Sequence, residues 1–267
     1  MSANENNLVS WFENYDLPSD SSSVRAPVLK PEEAKLLEEF MVRAIPSCYL
    51  SSDSLGIQIK NTGFTASQLI QNKIPDPGSV MAGDFGEILT LFYLAGDIEE
   101  IAKKVKKWRF KQDRTKAAPH SDVIILYREF DNRPSTNDFV ICAEAKLKST
   151  KSSFSPIERS IEGYEKDKTG RLARTLVWLK EKAIDSEGAE SLSYMQRFTD
   201  DHLKTEFKKQ FRSVALIDRA FLDDELIKPF DLPDQSDDLE VLVLGIDDLK
   251  NVYQRSFQRA TEEFDNE

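Results

Sequence analysis

Three polar residues at the ends of two apolar runs have the types and spacing that metal-dependent hydrolysis requires. Asp122 precedes Val-Ile-Ile-Leu, and Glu144 and Lys146 follow the run that begins at Phe139. Because side chains two residues apart on a strand share a face, Glu144 and Lys146 are expected side by side. Two carboxylates and the carbonyl of Ala145 offer hard oxygen ligands, which suit Mg²⁺ or Mn²⁺. The pattern therefore predicts a divalent-metal site at a strand end.

A metal ion in this position would act on a phosphodiester. It would neutralise charge on the phosphate and lower the pKa of a bound water. Lys146 is expected to orient that water or to stabilise developing negative charge. Glu87, early in a predicted helix, is a further candidate ligand, either directly or through a water.

Each of these residues also has a structural interpretation. Glu144 and Lys146 would form an exposed edge pair, and Asp122 would cap a turn at the start of its strand. Asp84 and Glu87 have capping-box spacing, which explains Glu87 without a metal ion. These alternatives remain open at the level of sequence.

The two apolar runs predict the strands that would position the carboxylates. One covers residues 120–128 and the other 137–148, and the turn at 131–135 separates them. A connection this short favours antiparallel neighbours. Antiparallel pairing places the start of one strand against the end of the other, so Asp122 is expected to meet Glu144 at one edge of the sheet.

The remaining patterns predict an α/β fold in which helices flank a mixed central sheet. We expect an irregular arm at 1–30, a helical extension packed on the core at 31–78, and an α/β domain at 79–267. Pro46 is expected to end the first helix. Helices are predicted at 31–43, 65–72, from Gly83 onward, at 156–183, 192–211 and 247–261, and further strands at 106–111, 213–218 and 240–246.

Charge is distributed unevenly along this chain. A net charge of −11 over 267 residues argues against a protein that coats nucleic acid generally. Residues 103–116 nevertheless contain eight basic side chains and one acid, which indicates either a DNA-binding track or a solvated charged surface. Arg171 is a further candidate for tracking phosphates. The predicted DNA-binding residues are Lys104, Lys107, Arg109, Lys111, Arg114, Lys116 and Lys148.

Several classes of protein are disfavoured by what the sequence lacks. Cys48 and Cys142 have no metal-binding spacing, so a zinc site is not expected. No apolar run approaches the length of a membrane span, and the first residues do not resemble a secretory signal. No phosphate-binding Gly-rich loop indicates a nucleotide hydrolase or kinase. We expect a cytoplasmic protein without a membrane association or a small-molecule cofactor.

The candidate residues and their order resemble the PD-(D/E)xK nuclease superfamily. The pieces are Glu87 in Gly-Asp-Phe-Gly-Glu-Ile, Asp122 in His-Ser-Asp-Val-Ile-Ile, and Glu144-Ala145-Lys146. The resemblance spans roughly residues 80 to 220 and implies a restriction-endonuclease-like core. It implies that Asp122 and Glu144 hold the metal, that Lys146 positions the attacking water, and that Glu87 is the accessory helix acid. Ser121 replaces the motif's proline, at a position that varies in the superfamily.

The helix motif, the basic stretch and Val-Ile-Cys-Ala-Glu-Ala-Lys together are similar to the nuclease subunits of Hachiman anti-phage defence systems. This resemblance implies a bacterial, Mg²⁺- or Mn²⁺-dependent endodeoxyribonuclease that acts on DNA with a helicase and ATPase as its protein partner. The alternative is a catalytically silent subunit that keeps the fold and regulates a partner.

Overall fold

One eight-stranded sheet forms the centre of the molecule. The computed structural model describes residues 8–17, 24–98, 102–200, 206–233 and 238–262. The strand order is β1-β3-β8-β7-β6-β5-β4, and β2 pairs with β8. The strands are β1 Phe12–Asn14, β2 Val24–Arg25, β3 Pro27–Leu29, β4 Lys103–Lys104, β5 Val123–Tyr127, β6 Phe139–Lys148, β7 Lys208–Asp218 and β8 Leu239–Ile246.

Helices cover both faces of this sheet, which confirms the predicted α/β fold class. Short 3₁₀ turns at Pro31–Glu33 and Lys107–Phe110 and a kinked segment at Asp167–Arg171 connect some of the elements. The helices are α1 Ala34–Tyr49, α2 Ser52–Thr62, α3 Ala66–Gln71, α4 Ser79–Gly96, α5 Pro156–Lys166, α6 Leu172–Lys182, α7 Gly188–Thr199, α8 Leu222–Leu226 and α9 Leu249–Glu262.

The relative directions of β5, β6 and β7 follow from the connections between them. The short connection between β5 and β6 gives the antiparallel pair predicted from the sequence. β6 and β7 are parallel, because α5 to α7 carry the chain back across one face of the sheet before β7 begins. β7 and β8 are also parallel.

Alternate residues of the central strands pack into two different cores. Ile125 and Ile141 face α4 and α9, whereas Ile124 and Cys142 face α5 and α6. Strands that are buried on both faces need apolar residues at every position, which explains the continuous apolar runs. Glu144, two residues beyond Cys142, therefore lies on the α5 side of the sheet.

Helix α4 corrects the expected position of Asp84 and Glu87. The helix begins at Ser79 instead of Gly83, so both acids lie in its interior and both are buried. The Tyr49 hydroxyl donates to Asp84, and Lys111 Nζ lies 2.8 Å from the same carboxylate. The capping-box interpretation of Glu87 is therefore wrong.

Helix α1 continues through Pro46 to Tyr49, although the proline was expected to end it. Cys48 and Tyr49 are almost fully buried in the last turn. Their burial stabilises a turn that the missing Pro46 N–H weakens.

Two further boundaries differ from the sequence-based expectation. The predicted strand at 106–111 is instead the 3₁₀ turn Lys107–Phe110, and the residues that pair with β5 as strand β4 lie just before it, at Lys103 and Lys104. The helix predicted at 192–211 ends at Thr199, and Lys208 already belongs to β7. Residues 201–205 lie outside the described part of the chain. Pairing with β6 fixes the start of β7, and periodicity along one segment does not reveal such a contact.

The described parts of the predicted N-terminal arm are not irregular. β1, β2 and β3 extend the sheet beyond β8, and Trp11 and Phe12 pack on aromatic rings of α1 and α4. Residues 1–7 and 18–23 lie outside the described ranges. The division of the chain at residues 30 and 78 stays a prediction. In the described ranges, no helix has the length and apolar character needed to span a membrane.

Candidate active site

The predicted catalytic residues meet where β5 begins and β6 nears its end. Val123 pairs with Ala143, which places Asp122 beside Glu144 and Ala145. The Ala145 N–H donates to Asp122 Oδ2 over 3.1 Å. Lys146 Nζ lies 2.5 Å from Glu144 Oε1, 3.3 Å from Asp122 Oδ2 and 3.3 Å from the Ala145 carbonyl oxygen. The three oxygen donors predicted to hold a metal thus converge on one ammonium group.

Glu87 approaches the same cluster from α4. Its carboxylate is buried, and Lys107 Nζ lies 3.2 Å from Glu87 Oε2 and 3.9 Å from Asp122 Oδ1. Lys107 also donates to the Ser121 carbonyl over 2.9 Å. Asp122 is therefore the centre of the cluster, because one of its oxygens faces Lys146 and the other faces Lys107.

Arg171 completes the cluster. Its guanidinium lies 2.5 Å from Glu144 Oε2, donates to Asp167 and donates to the Gly163 carbonyl over 2.9 Å. The sequence suggested that Arg171 contacts phosphates of bound DNA. In the structure its guanidinium instead pairs with Glu144, which is a predicted metal ligand. Its i,i+4 spacing from Asp167 was the signal available in the sequence, because such pairs face each other on a helix.

The backbone of α5 comes unusually close to Glu144. A Cβ atom at Gly163 would overlap Glu144 Cγ and Cδ, so a larger residue does not fit without moving that side chain. Gly163 is thus part of the wall that fixes the Glu144 rotamer.

The three carboxyl groups differ in their electrostatic environment. Burial raises the pKa of Glu87 to about 8, Asp122 adds to this effect, and Lys107 opposes it. Burial also opposes ionisation of Asp122, but Lys107, Lys146 and the Ala145 N–H outweigh it and lower its pKa. Burial and the charge of Asp122 raise the pKa of Glu144. Adjacent acids with pKa values displaced in opposite directions are typical of catalytic sites.

The donor set suits a hard divalent cation. Carboxylate and carbonyl oxygens are the ligands that Mg²⁺ and Mn²⁺ prefer. Glu87 Oε2 is buried without a well-directed hydrogen bond, although Lys107 is near. Within the described ranges, no three Asp, Glu, His or Cys side chains are grouped closely enough to form a metal site by themselves. A metal here would therefore depend on two carboxylates, the Ala145 carbonyl and water, with Lys146 displaced from between them.

Three residues of the predicted DNA-binding track are buried. The amines of Lys107, Lys111 and Lys148 pair with Glu87, Asp84 and Glu225 respectively, and their side chains are 5% exposed or less. Lys148 also donates to two backbone carbonyls. The expectation that these three lie on an exposed basic surface is wrong, because β6 and the turn before β5 direct their amines inward.

The other basic residues lie nearer the surface. Arg114 pairs with Asp76, and Lys116 pairs with Asp113. Lys104 and Arg109 line a cavity beside the Lys107–Phe110 turn. Contact of these four residues with DNA stays a prediction.

The mixed sheet and the acid cluster at its edge are consistent with a nuclease-like α/β core. The chain belongs to the HamA family, whose sequence model matches residues 6–260. Family membership makes this chain a component of the Hachiman anti-phage defence system. No curated protein matches its sequence.

Proposed function

We propose that this chain is a Mg²⁺- or Mn²⁺-dependent endodeoxyribonuclease and the effector subunit of a Hachiman complex with a helicase partner. The observation that carries the proposal is the convergence of oxygens from Asp122, Glu144 and Ala145 on Lys146 Nζ. The likeness of these residues to the PD-(D/E)xK motif and membership of the HamA family support it.

Each residue has a distinct role in this proposal. Asp122, Glu144 and the Ala145 carbonyl would hold the metal ion, which would supply charge neutralisation and a water of lowered pKa. Asp122 has the depressed pKa that keeps a ligand ionised. Lys146 would orient the attacking water or stabilise charge on the phosphate. Glu87, with a pKa of about 8, holds a proton near neutral pH and is the accessory acid.

The charge of the protein supports a role for the partner in DNA delivery. A net charge of −11 repels a polyanion everywhere except at locally basic surfaces. A helicase that presents DNA to the acid cluster would overcome this repulsion. Membership of the HamA family and the chemistry of the site support the proposal of this partner and of DNA as the substrate.

Plasmid cleavage tests the proposal. Supercoiled plasmid is incubated with Mg²⁺, Mn²⁺ or EDTA, with the chain alone and with the helicase subunit of a Hachiman system. Wild type is compared with Glu144→Ala/Lys146→Ala and with the control Glu32→Ala/Lys35→Ala, which removes the same residue types before and at the start of α1. We expect nicking that requires the metal, persists in the control and disappears in the active-site variant. Nicking that survives Glu144→Ala/Lys146→Ala would overturn the assignment.

A catalytically silent subunit is the second candidate. The cations of Lys107, Lys146 and Arg171 contact every acid in the cluster, which favours a site that is closed to metal. This function predicts no cleavage under any condition, together with a change in the helicase's ATPase rate when the chain is added. Titration of Mn²⁺ followed by EPR separates the two candidates, because only the nuclease should bind the ion in a manner that depends on Glu144.

A further inference from the structure

A cavity of about 620 Å³ lies beside the Lys107–Phe110 turn and is lined by none of the residues of the candidate active site. The end of α1, the start of α2, β4 and the residues after it, and parts of α6 and α7 surround it. None of Glu87, Asp122, Glu144, Lys146 or Lys107 lines it. The cavity is therefore a separate candidate site.

The cavity is strongly basic in an acidic protein. Among its described lining residues, Asp53 is the sole acid. The whole chain carries a net charge of −11, whereas basic residues outnumber acidic ones around this cavity. An excess of positive charge in a concave site attracts and concentrates anions. The basic lining residues are Lys73, Lys103, Lys104, Lys106 and Arg109.

Several of these cations are held in place by neutral oxygens. Lys106 Nζ donates to Ser47 Oγ, and Arg109 Nη2 donates to the Ser47 carbonyl, both over 2.8 Å. Lys103 Nζ donates to Ser191 Oγ over 2.9 Å. Arg109 Nε is buried and has no hydrogen-bond partner in the described part of the structure. A guanidinium with a buried unsatisfied donor is suited to an anionic oxygen, which forms strong charge-assisted hydrogen bonds.

The lining of the cavity also includes apolar residues. Phe110 and Ile57 contribute to it, and Ile57 is 60% exposed, which is high for an isoleucine. Phe110 packs edge-on against Trp178, which fixes the orientation of its ring. A cavity that combines cations with an aromatic ring can bind a phosphate through the cations and a base through the ring.

We infer that this cavity binds a nucleoside phosphate. The cations would contact the phosphate, and the apolar residues around Phe110 would contact the base. Two sources share this chemistry: a free nucleotide, and a nucleotide unit of a single DNA strand. The inference stands without the proposed nuclease activity, because it uses none of the residues of the acid cluster.

Equilibrium binding tests this inference in the full chain. The probes are a fluorescent ATP derivative and a 5′-labelled dT hexanucleotide, each measured by anisotropy. All proteins carry Glu144→Ala and all buffers contain EDTA, so that cleavage cannot affect the result. Lys73→Glu/Lys104→Glu reverses two charges in the cavity. Lys60→Glu on α2 reverses one charge outside the cavity and is the control.

We expect the cavity variant to weaken binding of at least one probe about tenfold or more, because charge-assisted contacts are lost and like charges are introduced. The Lys60→Glu control should remain within about twofold of the parent protein. Asp53→Asn should tighten binding, since it removes the acid at the cavity, and a folding defect would not produce such a gain.

The two probes distinguish a free nucleotide from a unit of a DNA strand, and other results would overturn the inference. Tighter binding of the ATP derivative identifies a free nucleotide, and tighter binding of the hexanucleotide identifies a strand unit. The inference is overturned if neither probe binds at millimolar concentration, or if Lys73→Glu/Lys104→Glu and Lys60→Glu weaken binding equally. Neither result bears on the nuclease proposal, which is measured by plasmid cleavage.

Discussion

Two of the sites where charge is buried beside β6 differ in how completely that charge is satisfied. Immediately before β6, Asp138 is fully buried and accepts hydrogen bonds from the N–H groups of Glu129 and Ser135 and from Arg197 Nε. Arg197 in turn donates to the Ser135 carbonyl over 2.9 Å. Every charged group there has a partner, as expected of a structural ion pair.

The cluster near the other end of β6 is less balanced. Glu87, Asp122 and Glu144 lie together, Glu87 Oε2 lacks a well-directed hydrogen bond, and Lys146 is shared between two acids. The pKa of Glu87 is raised to about 8, whereas that of Asp122 is lowered. Burial alone therefore does not identify a functional charge. A shared cation, an unsatisfied oxygen and opposed pKa shifts distinguish the candidate active site from the structural pair.

Asp138→Ala removes the carboxylate of the structural ion pair, and we expect it to lower the free energy of unfolding more than the other substitutions do. It leaves the Arg197 guanidinium buried without its carboxylate, which costs about 3–5 kcal/mol in comparable buried pairs. Urea unfolding at pH 7 measures the loss. Asp113→Ala, which removes a carboxylate on the exposed loop after the Lys107–Phe110 turn, is the control and should change stability by less than about 0.5 kcal/mol. Equal effects would mean that the Asp138 pair is not structural.

Glu87→Gln tests whether the candidate active site makes the stability of the protein depend on pH. A carboxyl whose pKa rises from 4.5 to about 8 on folding binds more protons in the folded state between those values. Stability contributed by this proton is therefore present at low pH and is lost as pH rises toward 8. The slope is at most about 1.4 kcal/mol per pH unit.

Urea unfolding in EDTA from pH 5 to pH 8 measures this slope. Glu87→Gln should reduce it, because the amide has no proton to lose, whereas Glu158→Gln on the exposed face of α5 should retain it. A wild-type slope that Glu87→Gln leaves unchanged would contradict the raised pKa.

The central part of this site could be predicted from the sequence for a simple physical reason. Two apolar runs with a short connection form an antiparallel pair, and that pair fixes where Asp122 lies relative to Glu144. The side chains two apart on β6 then follow from the period of the strand. Both rules depend only on residues that are close in the sequence, and they were sufficient to place Asp122, Glu144 and Lys146.

The cations of the site could not be assigned in the same way. Eight basic residues lie between 103 and 116, and nothing local distinguishes Lys107, which turns inward to Glu87, from Lys106, which bonds to Ser47. The 3₁₀ turn Lys107–Phe110 directs Lys107 inward, and Trp108 is buried in the same turn. Arg171 reaches Glu144 because the kink at Gly170, with φ of 136°, redirects the chain between α5 and α6. Such long-range contacts leave no periodic pattern.

Gly163→Ala tests the comparison with the smallest change in the chain, a single methyl group. The added Cβ would overlap Glu144, so either that carboxylate moves or α5 shifts away from β6. Overpacking of this kind costs about 1–3 kcal/mol, measured by urea unfolding. Gly56→Ala on α2 is the matched control, because open space surrounds that position. It should stabilise the protein by up to about 1 kcal/mol through helix propensity.

If the proposed nuclease function holds, plasmid nicking should fall in Gly163→Ala and persist in Gly56→Ala. Full nicking by Gly163→Ala would mean that the position of Glu144 is not critical, and the distinction between a balanced structural pair and a positioned catalytic cluster would then lose its clearest support.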